Sequence, residues 1–342
     1  MTLGVVVPCY RQERFLARTV AALERALEGR AWRGALVRSA PSAETLPALG
    51  GHWTVVAPAV ERPLTPGAAR NLGGAACGGE WVLFVDADVE VERAWLDRAL
   101  ALAEREPALG GLWGPIEEWF AAGGREWRNR ADLYGVGYRT RAVDYLATLA
   151  LYRRAALEAT GGYDPRLSSD EDYELGLRFQ ARGLELRSLD ALSSRHWSAP
   201  RPSFAELGRR WRTGLCFGQG QVLRLYFGRP GFGRLVRRQA LFLGALAVWV
   251  LGLAALAWGL ARGSWAPLLA WLTLPLGALA IMTARKRRVA LALHSLVSWS
   301  LIGAGMIVGF FSVPPDARAA AAPDRSSAGG PAGPRTRVGE AR

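Results

Sequence analysis

The sequence predicts an α/β domain over residues 1–228 and a membrane-spanning helical region over 229–312. Two observations carry the α/β assignment. Trp-Val-Leu-Phe-Val at 81–85 is a continuous apolar run between Gly78-Gly79 and Asp86, the pattern of a strand covered on both faces. Comparable runs alternate with stretches whose apolar residues recur at helical spacing. A third observation, three uncharged or nearly uncharged apolar stretches of bilayer length in the last third, predicts the membrane helices.

Taken in order, 3–7 reads as a buried strand, followed by a helix with Leu16, Val20, Leu23 and Leu27 on one stripe and Gly29 near its end. Residues 35–38 and 53–57 are the next two strands. Thr65 can cap a helix, Pro66 suits its first position, and Gly78-Gly79 stop it. After the strand at 81–85, a helix from about Glu92 turns Trp95, Leu96, Ala99, Leu100 and Ala103 inward. Residues 109–145 are rich in Trp, Arg and Gly, and Trp113, Trp119 and Trp127 suit either a sugar or lipid platform or the core. A strand at 147–151, a short helix at 154–160 and a tight turn at Gly161-Gly162-Tyr163-Asp164 follow. The acidic run from Ser168 to Glu174 opens a helix with Leu175, Leu177 and Phe179 apolar, as acidic residues favour a helix start. A short strand at 184–189 and a helix-like stretch from near Ser203 complete the domain.

The formal net charge of +13 is carried almost wholly by arginine, Lys286 being the only lysine. With membrane segments present, such a balance points to anionic lipid rather than nucleic acid, and no zinc-finger, homeodomain or RNA-binding signature accompanies it. Cys9, Cys77 and Cys216 lack metal-ligand spacing and are expected to be reduced, small core residues. The run at 3–7 is too short for a signal peptide and Pro8 interrupts it, so the first half is expected to stay in the cytoplasm.

The chemistry gathers where the strand at 81–85 ends. Side chains two apart in extended chain share a face, so Asp86 and Asp88 can address one object. Two carboxylates that close repel unless a cation lies between them, and Mn²⁺ or Mg²⁺ is the natural occupant. The preceding helix carries Arg70, which can present a cation to phosphate.

The pattern Gly67-x-x-Arg70-Asn71-x-Gly73 through Asp86-x-Asp88, with the strand-Pro8-x-Tyr10 opening and Gly161-Gly162-Tyr163-Asp164 through Glu171-Asp172-x-Glu174-Leu175, resembles family 2 glycosyltransferases, of a membrane-anchored bacterial type. The resemblance implies a GT-A fold, a mostly parallel sheet with a nucleotide sugar at the strands' carboxyl ends. It implies that Pro8, Tyr10, Gly67, Arg70, Asn71 and Asp86 bind the nucleotide sugar. Asp86 and Asp88 would be the metal ligands, with His196 as a third. Asp172 would be the catalytic base, Glu171 or Asp170 being the fallback. The cluster around Arg210 would embrace the diphosphate or rest on anionic headgroups. Two departures stand out. Where the family places an Asp-rich turn, this chain has Arg38-Ser39-Ala40-Pro41-Ser42-Ala43-Glu44, leaving Ser39 and Ser42 for the ribose. The Gln expected upstream of Arg210-Trp211 is also absent.

The membrane spans are placed at about 239–260, 265–284 and 289–311. Arg237-Arg238 precede the first and 285–288 separate the second from the third, whereas only Arg262 lies between the first two. The positive-inside rule then puts the catalytic domain in the cytoplasm at the bacterial inner membrane and the C-terminus outside. Residues 313–342 are expected to be disordered. The function implied is inverting transfer of a sugar from a nucleotide-diphosphate sugar to a hydroxyl or phosphate of a lipid-linked or cell-surface glycan acceptor. A catalytically degenerate scaffold in a glycan-assembly complex is the alternative. A nucleotidyltransferase lacks support, since no lysine-containing glycine-rich loop opens the chain.

Overall fold

The structure is a computed structural model that describes residues 2–10, 13–40, 45–57, 63–200 and 204–312. Ser42 and the stretch 313–342, both assigned expectations above, lie outside the described residues.

The first half alternates as its pattern demands. Strand β1 (Leu3–Cys9) leads to helix α1 (Glu13–Ala26), β2 (Trp32–Arg38), β3 (Trp53–Val56), α2 (Pro66–Cys77) and β4 (Trp81–Val85). All five residues of β4 are buried, as are Leu16, Val20, Leu23 and Leu27 against the same sheet. Thr65 caps α2 through its hydroxyl, which accepts from the Ala68 N–H at 3.2 Å. Gly78 and Gly79 end α2 at φ 63° and 93°, backbone that a side chain would strain.

Strand β5 (Val89–Val91) and helix α3 (Arg93–Arg105) follow, with the five residues expected to face inward all buried. Next come β6 (Leu109–Trp113), β7 (Ile116–Ala122), β8 (Arg125–Arg130), β9 (Arg141–Ala142), β10 (Leu149–Arg153), α4 (Arg154–Thr160), α5 (Glu171–Ala181), β11 (Glu185–Ser188) and β12 (Ser194–Ser198). Eight strands form the main sheet in the order β3-β2-β1-β4-β10-β6-β11-β9. β3, β2, β1 and β4 pair in parallel, and β10 runs antiparallel between β4 and β6. A second sheet, β5-β12-β7-β8, stands beside the carboxyl end of β4. Together these make a mixed α/β sheet, parallel on the side of β1 and antiparallel around β10.

The remaining helices are α6 (Phe204–Arg212), α7 (Gly218–Leu225), α8 (Phe232–Arg238), α9 (Ala240–Arg262), α10 (Ala266–Lys286) and α11 (Val289–Phe311). The last three are long and apolar enough to cross a membrane, with mean hydropathies of 2.4, 1.7 and 1.7. Among the described residues nothing covers their exposed Leu, Trp, Val and Ile side chains, as expected of lipid-facing surface.

The two parts are not loosely tethered. Leu167, Tyr173 and Leu177 from the α/β part share one apolar cluster with Val222 and Leu223 of α7, Leu235 of α8 and Met306 of α11. Glycines let the backbones meet. A Cβ on Gly220 would stand 2.0 Å from the Met306 carbonyl oxygen, one on Gly305 2.3 Å from that of Cys216, and one on Gly309 2.0 Å from that of Phe217. Only residues without a side chain permit that approach.

Candidate active site

Helix α2 and the turn before α5 bring the two sequence constellations together. The Asn71 amide is clasped to Tyr163: its Nδ2 donates to the Tyr163 carbonyl at 2.8 Å, and its Oδ1 accepts the Tyr163 N–H at 2.9 Å. A Cβ on Gly67 would meet the Asp164 carbonyl oxygen at 2.9 Å, so this glycine permits close packing of the same turn. Both residues, implied above to bind nucleotide, therefore face the Gly-Gly-Tyr-Asp turn. They build the site from behind.

That docking aims Arg70 into a nest of carboxylates. Its Nη1 donates to Glu171 Oε1 at 2.5 Å and lies 3.8 Å from Asp172 Oδ1, while Nη2 donates to Asp86 Oδ1 at 3.0 Å. The side chain is only 6% exposed, so an approaching phosphate would have to displace carboxylates already bound to it. Burial disfavours the cation, but Asp172, Asp86 and Glu171 together hold the guanidinium well above its usual range.

The three carboxylates do not experience one environment. Burial pushes Asp172 well up; Arg70 opposes this, and Glu171, Asp86 and Asp170 add to the rise. Asp86 also moves up, chiefly by burial, with Arg70 and His196 pulling down and Asp88 pushing up. The Asp172 side chain is 19% exposed against 7% for Glu171, whose oxygen is occupied by Arg70. Asp172 is thus the more accessible of the pair.

The Asp86–Asp88 segment corrects one expectation. It is not extended: the Val89 N–H donates back to the Asp86 carbonyl at 3.1 Å, closing a tight turn over Ala87 and Asp88. Backbone bonds fix both ends, because Asp86 N–H donates to the Thr148 carbonyl and Trp197 N–H to the Asp88 carbonyl. The carboxylates consequently take different partners. Asp86 goes to Arg70, and Asp88 Oδ2 lies 3.5 Å from His196 Nε2. Burial lowers the His196 pKa, but Asp88, Asp86 and Glu118 outweigh it and the net shift is upward.

Strand β12 explains how His196 reaches Asp88 across more than a hundred residues. It pairs with β5, setting His196 opposite Val89, the residue after Asp88. Among the described residues no three His, Cys, Asp or Glu side chains form a ready-made metal cage. Asp88 and His196 stand together, whereas Asp86, the third expected ligand, is engaged by Arg70; carboxylate and imidazole are donors of the type that Mn²⁺ accepts.

The other expected residues are more dispersed. Pro8 and Tyr10 stand at the end of β1, beside β4, with Ser39 buried across β2. Ser39 gives its N–H to the Cys9 carbonyl and its carbonyl to Leu64 N–H, so it fastens the β1 and β2 ends together. Arg210 is exposed on α6 and influences Cys216; its neighbour Arg209 is paired with Glu206 at 2.7 Å and feels Tyr10. Trp113 is core, Trp119 bonds Glu117 and packs on Trp197, and Trp127 lies 40% exposed against Phe120. Cys9, Cys77 and Cys216 are buried and not disulfide-linked.

The parallel strands, the turn at Asp86–Asp88 and the carboxylates beyond it define a GT-A glycosyltransferase fold. Residues 4–161 match the model of glycosyl transferase family 2. Two curated relatives, each described as a pre-mycofactocin glycosyltransferase, from the CDC 1551 and H37Rv strains of Mycobacterium tuberculosis, are 30% identical over 132 residues. The match takes in 36% of this chain and 28% of theirs, so the chain spans little more than a quarter of their length. Among solved structures, the mannosyltransferase PcManGT from Pyrobaculum calidifontis, in complex with GDP-Man and Mn²⁺, superposes with a TM-score of 0.55 at 19% identity. It covers 88% of this chain and 86% of its own, more than the α/β domain alone could supply. S. aureus TarS 1-349 in complex with UDP-GlcNAc matches at 16% identity and a TM-score of 0.49, covering 90% of this chain and 92% of that one.

Proposed function

We propose that the chain transfers a sugar, with inversion, from a nucleotide-diphosphate sugar to a hydroxyl or phosphate of an acceptor presented at a membrane, such as a lipid-linked or cell-surface glycan. The observation that carries this reading is the Arg70 guanidinium, which joins Asp86 of the donor-side motif to Glu171 and Asp172 of the acceptor-side motif. The donor bound by PcManGT supports a nucleotide sugar here.

Asp172 is the base. It removes the acceptor O–H proton as that oxygen bonds the anomeric carbon, while the bond from this carbon to the diphosphate oxygen breaks and its electron pair leaves on phosphate. Burial beside other carboxylates keeps Asp172 basic enough for the task. Arg70, bonded to Glu171, lies 3.8 Å from it and balances its charge. Asp88, with Asp86 and His196, would hold the divalent ion. When bound, that ion supplies charge neutralisation for the departing nucleoside diphosphate. Pro8 and Tyr10 border the nucleotide.

Helices α9–α11 anchor the domain at the bacterial inner membrane, with the α/β part cytoplasmic and the C-terminus outside, following the arginines of α8 and 285–288. Slow hydrolysis of UDP-GlcNAc and GDP-mannose by the detergent-purified chain with Mn²⁺ tests the reading. Loss of turnover in Asp172→Asn with donor binding retained supports it; unchanged turnover refutes the base. Failure to bind any nucleotide sugar would favour the scaffold alternative.

A further inference from the structure

Three consecutive carboxylates open α5, and the structure serves them from two sides. Arg70 takes Glu171 and lies near Asp172. Asp170 faces the other way, to Arg238, the last residue of α8 before the first long apolar helix. Arg238 Nη1 donates to Asp170 Oδ2 at 2.7 Å and Nη2 to Oδ1 at 3.1 Å, a two-pronged contact with strong directional preference. The guanidinium also stacks 3.8 Å above the Tyr173 ring, with Tyr145 5.8 Å away.

Asp170 needs such a hold. Its backbone sits at φ 65°, in the left-handed region that residues with a side chain seldom adopt. Its carboxylate does not cap α5, although its carbonyl accepts the Glu174 N–H. The residues before it are gripped by the same part of the molecule. Ser168 N–H donates to Gln221 Oε1, the Ser168 hydroxyl donates to the Gly214 carbonyl, and the Ser169 hydroxyl donates to the Leu215 carbonyl. A Cβ on Gly218 would stand 2.2 Å from the Ser169 carbonyl oxygen. The start of α5 is therefore set from the helical region.

We propose that Arg238 is a positioning residue for the transfer reaction, holding the first turn of α5, and with it the Asp172 carboxylate, from the threshold of the first membrane helix through its two-pronged bond to Asp170. This deepens the reading of Asp172 as base and rests on it. It makes seating of α8 and α9 part of the active-site geometry, since a carboxylate displaced by about 1 Å can cost 10²-fold in rate.

The test is steady-state hydrolysis of UDP-GlcNAc and GDP-mannose by the detergent-purified full chain with Mn²⁺. Arg238→Gln should lower kcat about 10- to 100-fold with the donor KM little changed. Arg238→Lys, which keeps the charge and one donor, should recover part of the loss. Asp170→Asn, whose new side chain also tolerates the left-handed backbone, provides the same test if Arg238→Gln fails to fold. The double variant should be no worse than the poorer single one, because both remove one contact. A normal kcat in Arg238→Gln, or single losses that multiply in the double variant, overturns the proposal. Asp172→Asn run alongside separates the levels: if it still turns over, the base is misassigned; if it is inactive while Arg238→Gln is normal, Arg238 alone fails. Absence of hydrolysis of both donors by the unaltered chain refutes both.

Discussion

Arg70 Nη1 lies 2.5 Å from Glu171 Oε1, a buried contact between residues a hundred positions apart. It ties the helix leading into β4 to the helix that carries the proposed base.

The value of that cation is testable by deletion. Arg70→Met would leave Asp86, Glu171 and Asp172 facing one another in a poorly hydrated site. Breaking one side of a buried ion pair costs about 3–5 kcal/mol. Denaturant unfolding of the detergent-solubilised variant should register that loss, and a change below about 1 kcal/mol would contradict the account.

Asp172 gives a pH signature. Its folded pKa is raised, so the stability linked to it is fully present below the unfolded value and lost as pH rises through the folded value. At neutral pH, above the unfolded carboxylate's range, the raised pKa costs stability. Asp172→Asn should therefore raise Tm at pH 7 while removing turnover, and the gain should vanish at acid pH. In the unaltered chain, turnover should rise with pH across a transition above the ordinary carboxylate range. A Tm lowered at pH 7 by the substitution would reverse the sign of this account.

The seam between α7 and α11 should be intolerant of methyl groups. Gly309→Ala forces a Cβ to within 2.0 Å of the Phe217 carbonyl oxygen, and the overpacking should cost about 1–3 kcal/mol. Gly277→Ala, where a Cβ meets nothing within 4 Å, is the matched control. Thermal stability in detergent distinguishes them, and equal behaviour would mean that the seam yields.

Orientation can be read with a protease-cleavable tag on the C-terminus. In intact cells with a permeabilised outer membrane, the tag should be cut while the α/β domain stays protected. The reverse pattern would overturn the cytoplasmic placement.

Much of the fold was legible because burial leaves plain marks. The β4 run, the capped α2 and the α3 stripe each carry a one-dimensional signal that tertiary packing did not override. The second sheet was not legible: β8 is exposed at every residue and carries no apolar alternation to distinguish it from loop. Helix α7 was hidden too, since Gly218 and Gly220 are poor helix formers and the backbones they admit belong to distant segments. Site residues were named more readily than their work. Arg70 looked like a phosphate cation, yet its partners lie in another constellation. Asn71 and Gly67 looked like ligand contacts, yet they pack on the turn at Tyr163 and Asp164. Such distinctions depend on which distant segment each residue meets.

The most direct measurement is donor binding and hydrolysis, with a nucleotide-sugar panel including UDP-GlcNAc and GDP-mannose, by the unaltered chain, Asp88→Asn and Asp172→Asn in the presence of Mn²⁺. The account predicts metal-dependent binding of one donor, weakened by Asp88→Asn, and binding without turnover in Asp172→Asn. Full turnover in Asp172→Asn, or donor binding indifferent to both Mn²⁺ and Asp88, would contradict it.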